Sequence, residues 1–407
     1  MFRYPFFFYF SCAVLISNPG NAQSKLSAGN WEAKLKINDV TELPFRLEVS
    51  KTRKKYNFTI HNASETIALG TPVQQGDSMI IDFPNFHSSI HFKANNLKNI
   101  AGYWINYNKG EQYKIPFQAN YWNANSTQIE KATEHDLTGR WKTTFDAEKS
   151  PWMAIGVFEQ KGEKITGTFL TETGDFRFLE GKVKGDTMNL SCFDGSHAFH
   201  FTGVYENQKL NGTFYSGKHF AGSWEAVLDP GFELRHPDSV TYVIKNEPVA
   251  FKMKDLEGKD FTFPNPAYKD KVTIIQIMGT WCPNCMDETQ FLNELYAKYH
   301  AQGLEIISIG YETPVDFQQQ VEKIRMLQKR HNLDFTFLVG GQANKALTSQ
   351  QFPMLNEIIS YPTAIVIGKD GEVKKIHTGF NGPGTGKLYT DYVNSMSSFI
   401  EMLLQEK

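Results

Sequence analysis

The sequence predicts a multidomain protein: two all-β antiparallel meander repeats, barrel-like, followed by an α/β domain. Three observations carry this reading. First, short signatures recur at an offset of 109 or 110 residues: Gly29-Asn30-Trp31 as Gly139-Arg140-Trp141, Gly76-Asp77-Ser78-Met79 as Gly185-Asp186-Thr187-Met188, His91-Phe92 as His200-Phe201, and Gly102-Tyr103-Trp104 as Gly212-Thr213-Phe214. A fixed period marks a repeated structural unit. Second, turn residues such as Gly162-Glu163, Gly174-Asp175, Gly185-Asp186 and Asn207-Gln208 fall at close, regular spacing, as antiparallel meanders require. Third, strand and helix signals alternate from Pro248 onward, the mark of a parallel or mixed sheet covered by helices.

A chain of 407 residues suggests two or three domains. Its net charge of -2 supplies no electrostatic argument for nucleic acid or an anionic membrane as partner. Residues 1–22 read as a secretory signal: Arg3 is the positive start, residues 5–17 form an apolar core too short to span a bilayer, and Gly20-Asn21-Ala22 is a small-residue cleavage site. Export to the periplasm or beyond is therefore expected, with Cys12 removed. No later segment is long and apolar enough for stable membrane insertion. Export leaves Cys192, Cys282 and Cys285, too few for a disulfide-stapled scaffold. The one close pair is expected to cycle rather than brace.

The repeats are placed at 28–122 and 136–228. Each holds about eight short strand candidates; in the second they fall near 140–145, 153–160, 164–172, 176–183, 187–193, 197–206, 209–216 and 220–227. Alternation is visible in Lys164-Ile165-Thr166-Gly167-Thr168-Phe169-Leu170. The Gly-x-Trp before the first of eight strands weakly resembles the lipocalin-like barrels. Two small barrels and one joined sheet both fit the pattern. The aromatics (Trp31, Tyr103, Trp104, Trp122, Trp141, Trp152, Tyr215, Trp224) either fill the interior of a small barrel or line a ligand cavity, and filling is favoured because short strands enclose little space. Cys192, His197 and His200 do not have metal-site spacing, since residues three apart on a strand face opposite ways. Residues 229–247, with two prolines and three polar clusters, read as a loosely packed linker.

In the domain at 248–407, an N-terminal hairpin is expected over 251–263, then a buried central strand at 272–278 and a helix at 282–300. A parallel strand follows at 304–309, a long amphipathic helix at 315–331 and a short strand at 335–339. Short helices are expected at 343–351 and 354–357, an antiparallel hairpin at 363–367 and 373–380, and a closing helix at 389–404.

Between the central strand and its helix stands Trp281-Cys282-Pro283-Asn284-Cys285. A thiol at a helix N-terminus meets unpaired N–H groups and the positive end of the dipole, which favour thiolate. A second thiol one turn on can resolve a mixed disulfide. Pro283 suits the first helical position. A lone Cys-x-x-Cys is as often half a zinc site, but no cysteine follows Cys285, so no metal and no cofactor is expected.

With Glu288 three residues after Cys285, and Tyr361-Pro362-Thr363 before a late apolar strand, this domain resembles the thioredoxin superfamily, and within it the extracytoplasmic TlpA/ResA-like thiol–disulfide oxidoreductases. The resemblance implies a thioredoxin-like fold and redox exchange with protein disulfides. Cys282 would be the exposed attacking thiol, Cys285 the buried resolving thiol, and the two would form the redox disulfide. It also implies a cis Pro362 facing them, Tyr361 pairing with a substrate chain, and Trp281 and Pro283 shaping the contact. Glu288 would accept the resolving proton. Thioredoxins carry an acid on the strand before the motif where this chain has Gln276, which leaves Glu288 as the one nearby carboxylate. The implied partners are a disulfide-bearing client protein and a membrane or soluble thiol donor. Alternatives are a thiol peroxidase or antioxidant, since peroxiredoxin-like chains share the Pro362-Thr363 to Gly368-Lys369-Asp370-Gly371 ending, or a ligand- or partner-binding β module with an auxiliary redox domain.

Overall fold

The computed structural model describes residues 26–53, 55–122, 134–146, 148–245 and 247–406. The leader expected over residues 1–22 lies outside the described residues.

The two repeats begin alike. In each, the Trp of the Gly-x-Trp signature donates its indole N–H to the carbonyl four residues earlier, Trp31 to Ser27 and Trp141 to Leu137, both at 3.0 Å. The recurrent glycine of the next-to-last strand, Asn99–Asn106 in the first repeat and Lys209–Ser216 in the second, has a steric cause. A Cβ on Gly102 would lie 1.9 Å from the His91 carbonyl oxygen, and one on Gly212 would lie 1.8 Å from that of Thr202. Only glycine allows the neighbouring strand so near. Burial alternates along the strands, as on Glu42–Thr52, and apolar residues gather inside.

They close differently. The second repeat is a ring of eight strands, in which Trp152–Lys161 pairs with both Gly139–Phe145 and Lys164–Thr171, and Gly139–Phe145 also pairs with the last strand, Phe220–Leu228. The first repeat is an open nine-stranded sheet whose edges are Glu65–Ala68 and Val73–Gln75. Part of its core comes from the second repeat: Phe193 packs 4.7 Å from Phe45, 5.1 Å from Trp104 and 5.4 Å from Phe83 between ring centroids. The Asn62 side chain accepts from the Phe193 N–H at 3.2 Å and donates to its carbonyl at 3.0 Å. Of the two arrangements open to the sequence, the protein thus has neither in pure form: one barrel is closed, and its hairpin turn plugs a second, open one.

Trp31, Trp104, Trp141 and Trp224 are buried and fill these cores. Tyr103 and Trp122 are instead exposed, so they do not fill the core.

The C-terminal domain is a seven-stranded mixed sheet in the order β2-β1-β5-β4-β3-β6-β7. Its elements are β1 (Phe251–Asp255), β2 (Asp260–Phe263), β3 (Val272–Met278), α1 (Pro283–Tyr299), β4 (Leu304–Glu312), α2 (Phe317–His331), β5 (Thr336–Gln342), α3 (Lys345–Gln350), β6 (Thr363–Ile367), β7 (Val373–Thr378) and α4 (Lys387–Gln405). β3 is central and buried at every residue, as its unbroken apolar run demands. It pairs parallel with β4 and antiparallel with β6.

Two expectations are corrected. Residues 354–357 form no helix; Leu355 makes a β-bridge with Val243 instead. The segment 229–247 does not pack loosely. Val240 and Thr241 are buried, the Thr241 hydroxyl donates to the Glu357 carbonyl at 3.1 Å, and Asp238 bonds His377 at 2.6 Å. A polar sequence reads as a linker, but its polar groups are satisfied here by a neighbouring surface.

Candidate functional site

β3 delivers the chain to a turn at Gly279–Trp281, and α1 starts directly after. Cys282 is the N-cap of α1, in extended geometry, and Pro283 is the first helical residue. The Cys282 sulfur therefore sits where the helix presents free N–H groups: Cys285 N–H donates to it at 3.3 Å. On the other side the Cys282 thiol donates to the Tyr361 carbonyl at 3.4 Å. The Tyr361–Pro362 peptide bond is cis. The Tyr361 hydroxyl bonds Thr348 at 2.7 Å, and Trp281 packs edge-on to its ring at 5.8 Å. The fold thus brings Trp281, Cys282, Pro283, Cys285, Tyr361 and Pro362 together. The two sulfurs are free thiols, not the disulfide that the resemblance implies, so that bond would belong to an oxidised form. Burial pushes the Cys285 thiol well above its ordinary range, and the adjacent Cys282 sulfur and the Glu288 charge push the same way.

Glu288 is fully buried on α1. One carboxylate oxygen accepts from Gln276 Nε2 at 2.9 Å, and the other has no partner. Burial raises its pKa to about 8, against the Gln276 bond. Gln276 also accepts from Ser308 at 2.7 Å. The side chain that replaces the thioredoxin acid on β3 is therefore in direct contact with the acid on α1.

Cys282 is not the exposed thiol expected; it is only 7% exposed. Residues on either side of it are covered by the second repeat. Ser196 donates to the Trp281 carbonyl at 2.9 Å, and Asn284 donates to the Asp175 carbonyl at 3.3 Å. Nor is Glu288 the one nearby carboxylate. Glu312, at the end of β4, is fully buried and accepts from Thr280 N–H at 2.8 Å and from the Thr280 hydroxyl at 2.7 Å. Burial raises it to about 7, against those bonds. The signal for Glu312 was an acid ending an apolar strand run. Asp287 follows on α1 and pairs with Arg177 of the second repeat; no local pattern announces a partner so distant in sequence. Lys345, at the start of α3, was also missed. Desolvation lowers its pKa although the residue stands at the surface, and the Cys282 charge opposes that shift.

Cys192, His197 and His200 do not gather. Cys192 belongs to the barrel core, opposite Phe199. His200 pairs with Ser191 one step along and so faces the other way. His197 lies 3.4 Å from Asp194.

Comparison with known proteins places this geometry. Residues 244–376 match the AhpC/TSA family. The thiol-disulfide oxidoreductase ResA of Geobacillus thermodenitrificans is 33% identical over 129 residues, which is 32% of this chain and 66% of that relative. The sporulation thiol-disulfide oxidoreductase A of Bacillus subtilis is 26% identical over 132 residues, 32% of this chain and 72% of its own. The ResA of Bacillus thuringiensis is 30% identical over 139 residues, 33% of this chain and 78% of that protein. The chain belongs to the ResA family.

Against the Geobacillus relative the chain spans just under two thirds of that protein's length. Among solved structures, StoA of Bacillus subtilis is 24% identical, covering 36% of this chain and 99% of its own, with a TM-score of 0.26. The family match begins at residue 244, after the repeats and most of the connecting segment, and holds Cys282, Cys285, Glu288, Tyr361 and Pro362. It leaves out the repeat residues Asp175 and Ser196 that touch this site.

Proposed function

We propose that this protein is an exported thiol–disulfide oxidoreductase that reduces disulfides in client proteins. The observation that carries the reading is the placement of Cys282 at the α1 N-cap, with its sulfur accepting from Cys285 N–H and facing the Tyr361 carbonyl beside cis Pro362. Membership of the ResA family supports it. The leader expected at residues 1–22 supports export. No helix among the described residues is long and apolar enough to cross a membrane.

The chemistry runs in two exchanges. The Cys282 thiolate attacks one sulfur of a client disulfide; an S–S bond forms between Cys282 and the client, and the other client sulfur leaves as thiolate and takes a proton. Cys285 then loses its proton and attacks Cys282. The Cys282–Cys285 disulfide forms, and the second client sulfur leaves reduced. Two electrons pass to the client, and a membrane or soluble thiol donor returns them. Burial keeps the Cys285 proton on until a base takes it. Glu288 carries a buried oxygen with no partner and takes that role, returning the proton to the departing client thiolate. Trp281, Pro283 and Tyr361 shape the face that the client meets, and Tyr361 offers its backbone to an extended client strand.

The test uses the full chain with dithiothreitol as donor and a disulfide-bonded model protein as client. Cys282→Ser should abolish reduction, and Cys285→Ser should accumulate a mixed disulfide visible on a non-reducing gel. Full activity in Cys282→Ser would end the proposal. The AhpC/TSA match favours a second reading, a thiol peroxidase. Peroxide turnover that depends on Cys282 and exceeds disulfide reduction would install it instead.

A further inference from the structure

Residues 173–177 of the second repeat cross three pieces of the ResA-like domain that frame the thiols. Ser360, next to Tyr361, donates to the Thr173 carbonyl at 3.0 Å. Asn284, between the cysteines, donates to the Asp175 carbonyl at 3.3 Å and to the Phe380 carbonyl at 3.0 Å. Gly382 N–H donates to the Asp175 carboxylate at 2.6 Å. The fit is close: a Cβ on Gly174 would lie 2.2 Å from Asn284 Nδ2, and one on Gly379 would lie 2.7 Å from the Thr173 carbonyl carbon.

One buried guanidinium ties this segment down. The Arg177 side chain is 8% exposed and pairs with Glu65 of the first repeat at 2.7 Å and with Asp287 on α1. Asp194 of its own repeat lies 3.7 Å away. Three modules thus meet on one cation. Removing Arg177 leaves buried carboxylates uncompensated, and removing Glu65 takes away the ion pair that joins the first repeat to it, so the contact is a strong hold while intact. It is also one that can fail as a unit, because its charged groups are all readily hydrated once exposed.

We propose that residues 173–177 are an intramolecular cap on the client-binding face of the ResA-like domain, latched by Arg177, and that a client disulfide reaches Cys282 only when the cap lifts. The proposal rests on the reading of that face as client-binding. The repeats then hold the thiols shut until a partner that competes for the face, or for the latch, opens them. The cost of lifting sets the fraction of open molecules and scales the apparent client affinity by that fraction.

The test is alkylation of Cys282 by iodoacetamide in the full chain, in a Cys285→Ser background, read by mass spectrometry of the peptide that carries it. The same chain in denaturant sets the ceiling rate. The native protein should label about a hundredfold or more below that ceiling. Arg177→Met and the isosteric Glu65→Gln should each label about tenfold or more faster than the native protein, with unchanged circular dichroism. Should Arg177→Met not fold, Glu65→Gln decides. Native labelling at the ceiling rate, or a folded Glu65→Gln that labels at the native rate, overturns the cap. Labelling needs neither client nor donor. A chain that labels as expected yet reduces nothing counts against the reductase reading alone, whereas a chain that reduces clients with an unguarded Cys282 counts against the cap alone.

Discussion

Burial holds the Glu288 carboxyl at about 8, and Gln276 satisfies only one of its oxygens. The sign of its effect on stability follows directly. Between an ordinary glutamate pKa and about 8, the unfolded chain has lost this proton and the folded chain keeps it. The Glu288 contribution is therefore full at low pH and is lost as pH rises through about 8, on the order of 1.4 kcal/mol per pH unit. Glu288→Gln removes that dependence while keeping an oxygen for Gln276. Urea unfolding at pH 5, 7 and 9 should show the variant gaining on the native protein at each step; parallel curves would mean the carboxyl is ionised throughout. The same proton enters the resolving exchange. Client release in the native protein should quicken as pH rises toward about 8, and Glu288→Gln should lose that inflection in stopped-flow traces.

Single elements act well beyond their own sheets. The hairpin turn carrying Phe193 completes the core of the open first repeat, where its fully buried ring touches Phe45, Phe83 and Trp104. Phe193→Ala should cost about 3–5 kcal/mol, and the loss should appear as early unfolding of the first repeat in hydrogen exchange although the mutation lies in the second. A cost confined to the second repeat would contradict the plug. At the thiol turn, β4 supports the loop before α1 through the two bonds from Thr280 to Glu312. Glu312→Ala removes both acceptors from the half-buried Thr280 N–H and hydroxyl, a loss of about 1–3 kcal/mol. It should slow client reduction with a larger effect on kcat than on KM, since the loop aims Cys282.

At the scale of the molecule, the connecting segment acts as a strap. Asp238 bonds His377 at 2.6 Å and Lys375 at 3.3 Å. Burial pushes the Asp238 carboxyl up, yet the bonds and charges of these two residues hold it below the usual range. With the Arg177 cluster on one side and this strap on the other, the repeats and the ResA-like domain should melt together in one calorimetric transition. Asp238→Ala should lower stability by about 1–3 kcal/mol and split that transition in two. A native protein that already melts in two steps would show the modules to be energetically separate.

Much of this architecture was legible in the residues alone. The period of 109 or 110, the alternation along 164–170 and the glycines at 102 and 212 are local consequences of backbone geometry, and so they leave a local trace. The thiol pair between a buried strand and a helix is equally local, because an N-cap and its helix are neighbours in the chain. Which barrel closes, what covers Cys282, and which carboxylates surround Arg177 were decided only in three dimensions. Glu65, Arg177 and Asp287 stand more than 100 residues apart from one to the next, and nothing in the neighbours of any one of them records the other two. A charge pair depends on distance in space, and only the packed tertiary structure sets that distance.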